Sequence, residues 1–127
     1  MTILTIDPTN KIMKVFYLFA LFLSLGVSSG FAFEISGHDL LAQLEDYYIE
    51  KGMTDQQLLN AGRAYGYISA IFDSHRENYP IPDDVKPTHI VATVFKFLSD
   101  NANLRYKKAN ILVHQAISEA FPLEKEE

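Results

Sequence analysis

Cysteine is absent from this 127-residue chain, and so is tryptophan. Without cysteine there is no disulfide, no thiolate metal site, no thiol nucleophile and no acylated-cysteine anchor. Packing alone must supply a net stability on the order of 5–10 kcal/mol. Positive charge is also scarce: 11 Lys and Arg stand against 16 Asp and Glu, for a net charge of −5. Phosphate backbones need a basic surface, so nucleic acid is excluded as the expected partner, whereas a basic protein suits the acidity. No glycine-rich phosphate loop is present, and no β-alternating run has useful length. The four histidines, His38, His75, His89 and His114, never stand four residues apart. A helical two-histidine metal site is therefore excluded, and no metal or cofactor is expected.

What the chain does contain begins with an apolar leader. After Lys11 and Lys14 run thirteen uncharged, mostly apolar residues from Val15 to Val27, followed by SSGFA. Gly30 and Ala32 sit at the −3 and −1 positions of an A-x-A-like cleavage site, the anatomy of a secretory signal peptide. Residues 1–32 are read as that peptide, with Met13 as an alternative start, and residues 33–127 as the domain. Cleavage leaves no stable membrane insertion; retention as an anchor is the competing reading, because apolar character continues to Phe33. The domain keeps 9 Lys and Arg against 15 Asp and Glu, a net of −6.

Four helical signals follow. In SGHDLLAQLEDYYIEKG, Ser36 and Asp39 have capping-box spacing, Leu40, Leu41, Leu44, Tyr47 and Tyr48 repeat at helical spacing, and Gly52 suits the position after the end. The second helix opens at Thr54 with Gln57 three residues on, and places Leu58, Ala61, Tyr65, Ile68 and Phe72 on one face. Three prolines in ENYPIPDDVKP interrupt the pattern, and Pro87 suits the first turn of a third helix carrying Ile90, Val91, Val94, Phe97 and Leu98. The fourth carries Ala109, Leu112, Val113, Ala116, Ile117 and Ala120, with Pro122 beyond its end. The expectation is an all-α fold: a small bundle of about four helices preceded by a signal peptide.

The second helix holds Gly62 and Gly66 in its interior, each costing about 1 kcal/mol against alanine. With Ala70 they form a strip spaced by four residues, which predicts unusually close helix packing, either inside the bundle or across a dimer interface.

Candidate sites are few. Ser69, Asp73 and His75 have the residue types of a hydrolase triad, yet Ser69 and Asp73 are an ordinary one-turn helical pair and nothing sets His75 as a base, so no catalytic role is expected. Asp73 lies late in its helix, where the dipole disfavours an anion. It either caps another helix, pairs with Arg76, or contacts a partner. The loop from Asn78 to Lys86 is the main binding candidate: Pro80 and Pro82 stiffen it, Tyr79 and Ile81 serve as anchors, and Asp83 and Asp84 flank them. The alternative is a plain connector shaped by its prolines. His114 shares a face with Asn110 and Ser118 and is expected in solvent, as is the cluster Arg105, Lys107 and Lys108 at a helix start.

Several segments, taken in order, resemble one family. GYISAIFD (66–73) is similar to the G-Y-I-x-x-x-x-D segment of the Rap/Tai-type immunity proteins of bacterial type VI secretion systems. SGHDLL (36–41) resembles that family's opening helix, YPIPDDV (79–85) its proline-containing loop, FKFLSDN (95–101) the close of its third helix, and ILVHQAISEAFP (111–122) its terminal helix. The cysteines common in the family are replaced here by Ala64, Pro80 and Leu123. The resemblance implies a small helical periplasmic protein, often a homodimer, that binds a peptidoglycan amidase effector and blocks its active site. It implies no cofactor and no catalytic residue. A periplasmic helical binding or structural protein with no cognate toxin is the alternative.

Overall fold

The computed structural model describes residues 10–25 and 34–124. The chain divides into two compact units, 1–33 and 34–127. The first contains helix α1, Lys11–Leu25. Ile12, Val15, Phe16, Tyr17, Leu18 and Phe19 are all exposed on it. Fifteen helical residues rise about 22 Å, short of a hydrocarbon core of about 30 Å. Among the described residues no helix is long and apolar enough to cross a membrane. Gly30 and Ala32, on which the cleavage reading rests, lie outside the described residues.

The second unit is built from four helices: α2, Gly37–Tyr47, α3, Asp55–His75, α4, Pro87–Asp100, and α5, Ala109–Ala120. Single 3₁₀ turns follow α3 at Arg76–Asn78 and α4 at Ala102–Leu104. The described residues contain no strand, and their one bridge joins Ser36 to Lys108. The fold is all-α, as the periodicity predicts.

Local chemistry sets the ends. Both capping boxes close: Ser36 with Asp39 and Thr54 with Gln57 each exchange the two reciprocal hydrogen bonds. The Ser36 amide and hydroxyl both bind the Asp39 carboxylate and hold its pKa below the usual range. Pro87 occupies the first turn of α4. Helix α2 stops at Tyr47, earlier than Gly52 suggests; that glycine instead bends the connection at φ +75°.

One buried cluster joins the four helices. Leu40 and Leu44 from α2, Ile68 and Phe72 from α3, Ile90, Val94 and Leu98 from α4, and Leu112, Val113 and Ile117 from α5 are its centre. The start of α2 is stitched to the start of α5. Gly37 N donates to Lys107 O at 2.9 Å, His38 N to Arg105 O at 3.0 Å, and Ala109 N to Ile35 O at 2.8 Å. These bonds satisfy helix-start amides that have no partner within their own helix.

Helix α3 is rolled relative to its expected orientation. Its inward residues are Ala61, Ala64, Ile68 and Phe72. Leu58, expected inside, is 64% exposed. Tyr65 sits at the rim, its ring stacked on Tyr47 with centroids 6.2 Å apart. Gly62, Gly66 and Ala70 face outward, and a Cβ built at either glycine would meet no atom within 4 Å. Close packing on this strip therefore does not occur inside the bundle; the small residues that face the core are the alanines one strip over. Gly62→Ala and Gly66→Ala should each stabilise the chain by about 0.5–1 kcal/mol, through helix propensity alone. Chemical denaturation would check this, and a loss of stability in either variant would contradict the open geometry. Ala120, expected in the core, is exposed at the end of α5.

Candidate functional site

The segment between α3 and α4 projects charge from a backbone held by hydrogen-bonded turns. Past the 3₁₀ turn at Arg76–Asn78 the chain extends at Tyr79, with φ −121° and ψ 137°. Ile81 N then donates to Tyr79 O at 2.9 Å, and Val85 N to Pro82 O at 3.1 Å. Two short hydrogen-bonded turns thus lie between prolines whose φ is already restricted. Tyr79, Ile81 and Val85 pack against the core, while Asp83 and Asp84 occupy the outer corner and are exposed. The result is an acidic elbow held from within.

Tyr79 and Ile81, the expected anchors, are half-buried and pack against the core from within the elbow. Asp83 is met by Arg76 at 3.8 Å, an exposed pair of little energetic weight, and the Arg76 guanidinium also lies 5.7 Å from the Phe72 ring centre. Arg76 therefore serves Asp83, and Asp73 does not pair with it. Asp73 is exposed on the outward side of α3, and it caps no helix.

Tyr79 is fixed at its far end as well. Its hydroxyl is hydrogen-bonded to His114 Nδ1. His114 in turn meets His75 edge-to-face, with ring centres 4.5 Å apart at 88°. His75 Nδ1 donates to the Ile71 carbonyl at 3.0 Å, which leaves its Nε2 side for the contact with its neighbours. Burial, and secondarily the charge of His75, holds the His114 pKa below its usual value, and burial raises that of Tyr79. His114 was expected in solvent. It is instead half-buried because α3 and the elbow fold over that side of α5.

Arg105 was likewise expected in solvent and is half-buried. Its Nε donates to Leu98 O at 2.6 Å and its Nη2 to Ser99 O at 2.8 Å, closing the carbonyl end of α4. Lys108 pairs with Glu34 at 2.7 Å between exposed side chains.

The triad residue types do not assemble. Ser69 Oγ is shielded from solvent and hydrogen-bonds nothing, Asp73 is exposed, and the Nδ1 of His75 is committed to a backbone carbonyl. No group of three or more histidine and carboxylate side chains among the described residues is placed to hold a metal ion. The outward face of α3 is the other surface feature. Asp55, Leu58, Leu59, Gly62 and Arg63 line a shallow depression there, with Leu59 48% exposed.

The surface thus carries an acidic elbow at Asp83 and Asp84, an exposed Asp73 late in α3, and a shallow depression on α3 that sets Leu58 and Leu59 beside Asp55 and Arg63. A family model described as Rap1a immunity proteins matches residues 36–123, nearly the whole second unit. No curated protein matches the chain.

Proposed function

The chain belongs to the Rap1a immunity protein family, and from that premise we propose that it is exported to the periplasm, binds a peptidoglycan amidase effector of a type VI secretion system, and blocks its active site. The observation that carries the reading is the acidic elbow. Asp83 and Asp84 stand out from a backbone pinned by Tyr79, Ile81 and Val85, so little conformational entropy is lost when a cleft closes over them. Two adjacent carboxylates on a domain of net charge −6 favour a cleft of positive potential and speed encounter with it. Asp73, exposed and without a partner among the described residues, adds a further carboxylate late in α3. We assign the chain no catalytic role and no cofactor.

Export rests on the leader. The apolar run, the small residues at Gly30 and Ala32, and the division of the chain after residue 33 are mutually consistent with residues 1–32 as a removable peptide and 33–127 as the domain.

Isothermal titration against a purified type VI amidase effector, paired with a peptidoglycan-hydrolysis assay, tests the binding role. Replacing Asp83 and Asp84 by alanine should weaken binding by about 2–5 kcal/mol, a factor of roughly 30 to several thousand, with the fold unchanged. Unchanged inhibition by the double variant would retire the elbow as the contact. Failure of the parent protein to bind amidase effectors would favour a periplasmic binding or structural protein with no cognate toxin.

The outward face of α3 supports a second contact, the homodimer that the family resemblance implies. Leu58 and Leu59 are exposed on the helix that carries Gly62 and Gly66, where an added Cβ would meet no atom of a neighbouring element among the described residues. Gly66→Leu should leave the monomer folded, since the added side chain enters open space, and should convert a dimer built on this face to monomer in sedimentation velocity. A dimer that survives this variant uses another face.

A further inference from the structure

We propose that His75, His114 and Tyr79 form a pH-gated latch on the acidic elbow, closed when His114 is neutral and released when His114 takes up a proton. The contact spans 35 residues of sequence and is the only side-chain hydrogen bond among the described residues that ties the elbow to α5. In the neutral state the Tyr79 hydroxyl donates to Nδ1 of His114. Protonation fills Nδ1 with a hydrogen, so the bond survives only if the phenol turns round and gives up its role as donor. The new charge also sits in a half-buried site, against the edge of a second histidine.

The groups facing His114 offer the charge no relief. From α3 the facing titratable group is His75, whose own Nδ1–H is held by the Ile71 carbonyl. From the elbow it is Tyr79, kept protonated by burial. Arg76, next to His75 in the chain, is itself a cation and is turned to Asp83 and the Phe72 ring. Along α5 the residues one turn away are Asn110 and Ser118, both uncharged. No carboxylate among the described residues hydrogen-bonds His114. The protonated state is relieved by fuller hydration of the imidazolium, which movement of the Tyr79 end of the elbow off α5 provides.

The direction follows by linkage. The folded-state pKa of His114 is depressed, so the unfolded or unlatched state binds more protons. The latch is fully closed above the ordinary histidine pKa of about 6.5 and is lost as the pH falls through the lower folded value. This inference rests on the elbow being the effector contact only for its biological use; the latch itself is read separately.

Hydrogen exchange followed by mass spectrometry on the full chain, corrected for the intrinsic pH dependence of exchange, tests it. Protection in the peptide covering residues 79–86 should fall several-fold between pH 7.5 and 5.5, while peptides from α2 and α4 keep theirs. His114→Gln retains a side-chain acceptor for the phenol without a titrating ring, and should hold the elbow equally protected at both values. Tyr79→Phe should show the low protection at both. A flat profile in the parent protein overturns the latch, as does the same fall in His114→Gln or a loss shared by the core helices. Amidase capture can fail with the latch intact, and the latch can fail with capture intact.

Discussion

Gly37→Ala should destabilise the domain by about 3 kcal/mol, although it adds a single methyl group. The new Cβ would collide with a methyl of Leu112 and stand 2.9 Å from the Arg105 carbonyl oxygen and 3.0 Å from the Arg105 Cα. Leu112 is fully buried, and the other two atoms are backbone of Arg105, whose carbonyl accepts from His38 N while Gly37 N holds the nearby Lys107 carbonyl. Neither can give way without opening the seam between the starts of α2 and α5. Overpacking of this kind typically costs about 1–3 kcal/mol, and a rigid backbone neighbour puts it at the upper end. For a domain of this size the melting temperature should drop by roughly 12–24 °C. Combining it with Leu112→Ala should remove only part of the clash, because the Arg105 carbonyl remains. A Gly37→Ala protein melting close to its parent would show that the seam is looser than described. The same substitution at Gly62 or Gly66 should act in the opposite direction, which makes the three glycines an internal control.

Ile68→Ala should cost about 3–4 kcal/mol, within the range for a fully buried aliphatic truncated to alanine. Ile68 is wholly buried at the centre of the cluster shared by all four helices, and it lies on the inward strip of α3 between Ala64 and Phe72. With no disulfide to limit the unfolded state, the loss falls directly on a net stability of about 5–10 kcal/mol. Urea unfolding should show a lower midpoint at an unchanged slope. By contrast Leu58→Ala, on the same helix but 64% exposed, should cost well under 1 kcal/mol. Equal losses at the two positions would mean that α3 is rolled the other way.

The second comparison marks where the helical reading of the sequence ran out. Leu58, Ala61, Tyr65, Ile68 and Phe72 share one face, and so do Ala61, Ala64, Ile68 and Phe72. Periodicity finds the helix but does not choose between two stripes offset by a fraction of a turn. The choice is made by α2, whose Asp46 carboxylate accepts from Asn60 at 2.8 Å and whose Tyr47 ring takes Tyr65 at the rim. The elbow was legible as a stiff acidic connector. Which of its side chains point inward was not, because Tyr79 finds its partner on a helix 35 residues away.

The sequence by itself determined the helical class, the four helices of the domain, and the residues that begin the first three of them; the fourth begins at Ala109, after the Arg105, Lys107 and Lys108 cluster expected at its start. Capping boxes at Ser36 and Thr54 and the proline at position 87 act within one turn of chain, and a 3.6-residue apolar repeat is a local property. Only the tertiary structure decided that Gly37 is a contact and Gly66 is not, that Arg105 closes α4, and that His114 is half-buried and holds Tyr79. Those outcomes depend on which surfaces meet once the helices pack. Residue identities that look the same along the chain acquire opposite roles according to what lies across the core.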